Sequence, residues 1–427
     1  MSRPGHWPSP TALWILRAAL LDGEASDRAW RHVATTADID TIDPDAARLL
    51  PLLQPKAERL GVENPWRDRV RGVYRYWWAH DQLLIRDCAR AVAELEGVGI
   101  STLVLKGVPL VLVYYGDPGL RPMSDIDVLV RPEASQRALR TLAGLGWLPE
   151  RRVDDLYLRY LHGVSLHDSS GRTLDLHWSI HEEDVRAGAD DDAWTTAVPI
   201  DVAGVPTRML APASLLVHAL ASGAKWAADP AARWLPDATL IVRRGDVDWD
   251  AFISEVGRRR FVVRTRSCLK YLRLALGVRV PEDVAVRLGG LPVSDFERLE
   301  HQIRTHNHAR LGELPRYWLA WARTSPHSWR DVAGFARYLR CAWDLPSPIA
   351  VPRAAAARAL WRLAKGRAPD RPGQGALSAG QPPTIEPRGR RRAGVMPARR
   401  RHVVARGAGR AAGDPEALAP RTGAWRD

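Results

Sequence analysis

An α+β fold is what this chain predicts: a small mixed sheet with flanking helices over residues 99–205, set between an N-terminal helical region (1–98) and a C-terminal helical domain (206–365). Three observations carry that expectation. Two apolar runs of strand length, residues 102–105 and 126–130, stand on either side of a short helical stretch and a Gly/Pro loop. Two more runs, 161–167 and 173–180, are joined by Asp168-Ser-Ser-Gly171, the composition of a hairpin turn. On both sides of this block apolar residues recur at helical spacing.

Taken in order, residues 1–98 read as helices broken by turns at Asp43-Pro44, Gly61 and Asn64-Pro65. The last of these helices, near 80–96, carries Leu83, Leu84, Cys88, Ala91, Val92 and Leu95 at helical intervals and delivers the chain into the strand at 102–105. A helix near 108–115, the loop 116–122 and the strand 126–130 follow. A helix near 133–145 is ended by Gly146. After the hairpin, helical spacing resumes at Pro212, with segments near 213–225, 237–243, 249–259 and 262–276. The 18 tryptophans are spread through these regions, which suits helix-packing anchors better than a platform for stacked bases. Beyond Gly366 the composition is rich in Arg, Pro and Gly without periodicity, that of a disordered tail over 366–427.

Charge is unevenly placed. Of 62 basic side chains only five are lysines (56, 106, 225, 270 and 365). The net charge is +13, and the stretch from Gly366 onward holds 13 Arg against five acids, a net of +8. The preceding 365 residues therefore carry only +5, which argues against a strongly basic body. Three scattered cysteines with no CxxC pair give neither a disulfide framework nor a zinc site, as expected in a reducing cytoplasm. The apolar run 11–21 is interrupted by Arg17 and has no small-residue cleavage site, and no segment reaches the roughly 20 apolar residues of a spanning helix. The expectation is a cytoplasmic protein without a membrane partner.

The chemistry concentrates in two places. Leu105-Lys-Gly107 ends one strand, and Ser124-Asp-Ile-Asp127 opens another, its acid pair beginning 18 residues after that glycine. Side chains alternate along a strand, so Asp125 and Asp127 share a face, with Cα atoms about 6.5–7 Å apart. Two such carboxylates repel unless a cation lies between them, and hard oxygen ligands suit Mg²⁺ arriving with a nucleotide's phosphates. Asp-x-Asp alone says little, because Asp38-Ile-Asp40 and the run 246–250 repeat it, one before a proline turn and one where an aspartate caps a helix. Context separates 125–127: a Val/Leu-rich strand after a Gly/Pro loop. Gly107, between strand and helix, lets backbone approach a phosphate; Lys106 supplies a rare ammonium beside it; Arg121 can clamp phosphate oxygens or sit on the surface. A third carboxylate is needed for two cations and to take a proton from an attacking hydroxyl, and Asp175 in Thr173-Leu-Asp-Leu-His177 shares its strand face with His177. His177, His181 and Glu182 lie in strand context, where i, i+4 imidazoles do not meet, so zinc is disfavoured.

These residues resemble the nucleotidyltransferase superfamily of DNA polymerase beta, most closely its uncharacterised bacterial branch, nucleotidyltransferase family 5. The matching motifs are Leu-Lys-Gly at 105–107, Tyr115, Gly119-Leu-Arg-Pro-Met-Ser-Asp-Ile-Asp127, Leu129-Val130, Gly146 and Asp175-Leu-His-Trp178. Looser likeness runs through residues 210–216, Trp234-Leu-Pro-Asp237 and Asp248-Trp249. The resemblance implies that Asp125, Asp127 and Asp175 hold two Mg²⁺ ions, that Lys106, Gly107, Arg121, Ser124 and His177 contact the nucleoside triphosphate, and that a nucleotidyl group passes to a hydroxyl of unknown identity. The wider superfamily carries Gly-Ser or Gly-Gly where this chain has Lys-Gly-Val, so its phosphate contacts differ. The alternative is a binding protein that keeps the fold without activity, its Arg-rich tail making weak nucleic-acid contact.

Overall fold

Seven strands build the centre of the computed structural model, which describes residues 7–59, 66–223, 232–305, 314–324 and 331–365. They are β1 (Thr102–Leu105), β2 (Asp125–Val130), β3 (Leu148–Pro149), β4 (Gly163–His167), β5 (Thr173–His177), β6 (Val198–Val202) and β7 (Val205–Met209). All described residues belong to one compact unit, Met1–Pro382; the second unit, Pro383–Asp427, and the tail expected from 366 onward lie outside them.

The sheet is mixed, as expected, in the order β3-β4-β5-β2-β1-β7-β6. β1 pairs antiparallel with β2 and parallel with β7, while β2 pairs parallel with β5. The β4–β5 hairpin turns at the Asp168-Ser-Ser-Gly171 segment that sequence composition marks. The hairpin β6–β7 was not expected from sequence. Pro199 and Pro206 interrupt the strand pattern, but β6 is an edge strand and Pro206 precedes the one register pair, Val104 with Met209, that joins β7 to β1. β7 thus begins at Val205, where the sequence reading ends the core.

Period-2 alternation sends the two faces of this sheet into different surroundings. Val104, Ile126, Val128, Val130, Leu174 and Leu176 face a core built with Leu84, Cys88, Ala91 and Leu95 of the long helix Trp66–Gly97 and Ala138 and Leu142 of the helix Ser135–Gly144. That second helix ends as Gly146 takes φ +91° and Trp147 N–H bonds back to Leu142, the left-handed stop that its sequence position announces. Leu103, Leu105 and Leu129 on the opposite face enter another core with Leu210 and the helices Pro212–Gly223, Trp234–Arg244, Trp249–Arg258 and Val262–Leu276. A third small core joins Trp321 and Tyr338, on the helices Leu314–Thr324 and Val332–Ala342, to Tyr160 and Leu161 before β4.

Between β1 and β2 the chain departs from the expected plain helix. One turn, Gly107–Pro109, widens into a π-helical turn, Leu110–Tyr115, closed when Gly116 N–H donates to Val111. The wider turn lets Tyr115 reach across to Asp237, whose Oδ1 accepts its hydroxyl at 2.7 Å. The following loop is pinned to the long helix: Tyr74 donates to Asp117 Oδ2 at 2.8 Å, and Asp117 Oδ1 accepts from Gly119 N–H at 2.8 Å.

A side chain at residue 119 would overlap the Tyr74 ring, which that hydroxyl bond holds in place. Gly119→Ala is therefore expected to lower unfolding stability by about 1–3 kcal/mol in a urea titration, whereas Gly97→Ala, with open space around it, should cost far less.

Candidate functional site

On the face that carries Leu103, Leu105 and Leu129, the apolar surface gives way to acid groups at one end. Register decides which ones meet. Asp127 lies between Leu105 of β1 and Asp175 of β5, Asp125 pairs with Thr173, and Leu129 pairs with His177. Facing positions on neighbouring strands share a side, so Asp127, Asp175 and His177 converge, and diagonal reach brings the imidazole back to the middle acid. His177 Nε2 is 2.9 Å from Asp127 Oδ1, and one ligand atom from each of Asp127, Asp175 and His177 lies within 4.8 Å of the other two. Asp125 stands at the mouth of the strand outside that cluster, half-buried.

Asp127 is only 2 % exposed, and a charged carboxylate there needs partners. Lys106 Nζ sits 2.5 Å from its Oδ1. Burial pushes the Asp127 carboxyl up, but the Lys106 charge and the His177 hydrogen bond outweigh it and hold the group well below the usual carboxylate range. Burial likewise pulls the Lys106 ammonium down, while the charges of Asp127 and Asp125 more than compensate and hold it above its ordinary value. Asp125 moves the other way: burial, then the charge of Asp127, raises its carboxyl. Lys106 adopts φ +46° and ψ −108°, a backbone conformation hostile to any residue with a Cβ, while its ammonium lies against Asp127.

Glycine matters here through contact. At Gly107 an added Cβ would stand 2.7 Å from Met123 Sδ, so the turn and the loop before Asp125 pack against each other directly. At Gly163, the register partner of His177, an added Cβ would stand 2.9 Å from His177 Nδ1. Two buried atoms of the cluster, Asp175 Oδ1 and His177 Nδ1, have no hydrogen-bond partner. An unfilled acceptor on the Asp175 carboxylate and another on the His177 imidazole, beside the charged Asp127 carboxylate, are a donor set suited to a divalent cation, so the residues present fit one.

Arg121 is neither loose on the surface nor wholly available for phosphate. It is 8 % exposed and grips Asp237 through Nε at 2.8 Å and Nη2 at 2.9 Å, leaving Nη1 beside Gly107. Burial opposes its charge, but Asp237 outweighs burial and raises the guanidinium. Ser124 is exposed next to Asp125. His181 lies away from His177's partners, against His218 and Phe261 with ring centroids at 5.2 and 5.0 Å, and burial with the nearby Arg259 charge keeps it neutral. The other Asp-x-Asp runs are local turns: Asp248 caps the helix Trp249–Arg258, and Asp38 accepts from Asp40 N–H at 3.0 Å.

Sequence reasoning missed two acids. Asp237 was visible only as part of Trp234-Leu-Pro-Asp237, with nothing to join it to Arg121 and Tyr115, 116 and 122 residues away. Asp81 sits on the buried side of the long helix, where its Oδ1 accepts from Met123 N–H at 3.3 Å and meets His80 Nδ1 at 3.0 Å, so it supports the loop leading to Asp125.

A family model described as "Uncharacterised nucleotidyltransferase" matches residues 44–277. No curated protein matches the chain. Among solved structures, the solution structure of the antibiotic-resistance factor ANT(2'')-Ia is similar at 14 % identity over 45 % of this chain and 97 % of that one, with a TM-score of 0.32. The crystal structure of an antigenic nucleotidyltransferase-like protein from Paracoccidioides brasiliensis is similar at 12 % identity over 49 % of this chain and 94 % of that one, with a TM-score of 0.31.

Burial lifts the Asp81 carboxyl from its ordinary 3.8 to about 6, so the folded state holds a proton that the unfolded chain releases. Its contribution to stability is present below pH 4 and is lost as pH rises through 6. Urea unfolding at pH 4 and pH 7 should show Asp81→Asn lacking a decline of about 2 kcal/mol that this carboxyl contributes in the parent protein.

Proposed function

Because the chain belongs to the uncharacterised nucleotidyltransferase family, whose model spans more than half of its length, we propose that it moves a nucleoside monophosphate from a nucleoside triphosphate to an acceptor hydroxyl. The observation that carries this reading is the meeting of Asp127, Asp175 and His177 at one end of the sheet, with unfilled buried acceptors, beside the Lys106–Gly107 turn.

Asp127 and Asp175 are the groups to hold a divalent cation, and Asp125 at the strand mouth is placed to share a second. Mg²⁺ is the cation of choice because it travels with triphosphates and takes hard carboxylate oxygens. When bound, it neutralises phosphate charge and makes an acceptor hydroxyl easier to deprotonate. The chain's own residues do the rest. The acceptor oxygen forms a bond to the α-phosphorus, the α–β anhydride bond breaks, and pyrophosphate leaves with that electron pair. The hydroxyl proton passes to Asp175, whose Oδ1 is otherwise unpartnered. Lys106 neutralises Asp127 in the absence of nucleotide and turns to the triphosphate in its presence, helped by Arg121 Nη1 and Ser124. His177 fixes the orientation of Asp127 from the other side.

Asp127→Asn keeps the shape and removes the charge. Pyrophosphate release from each nucleoside triphosphate, with Mg²⁺ and cell extract as the acceptor source, should fall by at least about a thousandfold while the far-UV circular dichroism stays that of the parent. Undiminished release from this variant places the chemistry elsewhere. Lys106→Ala is expected to raise the KM for nucleotide roughly tenfold with a smaller change in kcat, the pattern of a lost binding charge.

A further inference from the structure

A cavity of about 350 Å³ opens from Asp175 and His177 toward the C-terminal helices, between β4 on one side and the helices Leu314–Thr324 and Val332–Ala342 on the other. We propose that this cavity is the acceptor site and that the acceptor is a sugar-sized, ring-shaped polyol carrying no phosphate. The proposal rests on the nucleotidyl-transfer reading for the reaction, and on the cavity wall alone for the chemistry of its occupant.

The placement follows from shared residues. Asp175 and His177 belong both to the cluster and to the cavity floor, so a molecule lying in the cavity presents its hydroxyls to the group that takes the proton. Asp127, Lys106 and Asp125 are not on the cavity wall, which leaves the other side of the acids for the triphosphate.

The class of acceptor follows from what lines the wall. Tyr157, Tyr317 and Tyr338 offer aromatic surface, with the Tyr317 and Tyr338 rings 6.3 Å apart at 60°, and such surface takes the C–H faces of a saturated ring. Glu182 lines the same cavity half-buried, with no hydrogen bond or ion pair among the described residues, and Asp175 Oδ1 has no hydrogen-bond partner there either; both accept from hydroxyl groups. Burial and the charge of Glu182 raise the Tyr338 phenol, so it remains a hydroxyl donor. Charge speaks against a phosphate-bearing acceptor such as an RNA end. Three carboxylates (Glu150, Asp175 and Glu182) face two guanidiniums, and one of those, Arg151, is already held by Glu150 at 2.8 Å. A nucleic-acid track needs several unspent cations along its path.

Binding is read first without nucleotide, by saturation-transfer difference NMR on the full chain. The probes are methyl glucoside and myo-inositol as neutral rings, glucose 6-phosphate, and a short oligoribonucleotide. The neutral rings should show saturation transfer, and Tyr338→Phe and Glu182→Gln should each reduce it at least fivefold while leaving the circular dichroism unchanged. No signal from either neutral ring, equal signals in the variants, or binding confined to the two phosphate-bearing probes overturns the proposal. Mg·ATP binding is followed in parallel by intrinsic tryptophan fluorescence and should be the same in parent and variants. Loss of ATP binding in the parent protein itself would count against nucleotidyl transfer and leave the polyol cavity standing on its own data.

Discussion

A carboxylate with almost no access to water sits at the middle of this molecule, and its neighbours are arranged around the cost of keeping it charged. Asp127 lies on the third position of β2, flanked by β1 and β5, where desolvation alone would protonate it. One answer is the Lys106 ammonium, for which the chain accepts a left-handed backbone at a residue with a side chain. The other is His177, whose ring fits against β4 because residue 163 has no Cβ to collide with it. A strained turn, a glycine on another strand and an imidazole on a third thus meet around one buried charge.

The sheet can host that charge because its two faces differ. One is closed by the long helix and the helix after β2, and is apolar apart from Thr102, whose hydroxyl bonds Glu96 and Thr207. The other is apolar only where the helices from Pro212 onward cover it. Along the strands from Leu129 the same face passes to Asp127 and Asp125, with Asp175 beside Asp127. The covering helices are held by charge as well as by packing. Glu183, just beyond β5, contacts Arg264 at 3.0 Å and Arg304 at 2.9 Å, while Arg259 bridges Glu255 and Asp190, each at 2.7 Å. Buried networks of this kind add little net stability, because the cost of taking the charges out of water offsets their attraction.

Much of the order along the chain was legible beforehand. The strand at 126–130, the hairpin around Asp168-Ser-Ser-Gly171 and the stop at Gly146 all rest on local rules, period-2 alternation and turn chemistry, that a sequence displays directly. The hairpin β6–β7 escaped because its prolines break the strand signature and only an edge position tolerates them. The π-helical turn escaped because the contact it permits, Tyr115 with Asp237, involves a residue 122 positions away. Asp81 escaped because an acid on the apolar side of a helix looks like an interruption of the pattern until the loop it supports is seen above it.

From the amino-acid order alone came the fold class and a set of candidate acids, because alternation places Asp125 with Asp127 and Asp175 with His177 on shared strand faces. Which acids meet was beyond its reach. Strand order and register put Asp127 opposite Asp175, drew His177 into the cluster, left Asp125 at its mouth and turned two of Arg121's nitrogens to Asp237. Those pairings join residues 48 and more positions apart, and the energy that selects among them comes from burial and charge neutralisation, which exist only once the chain has closed on itself.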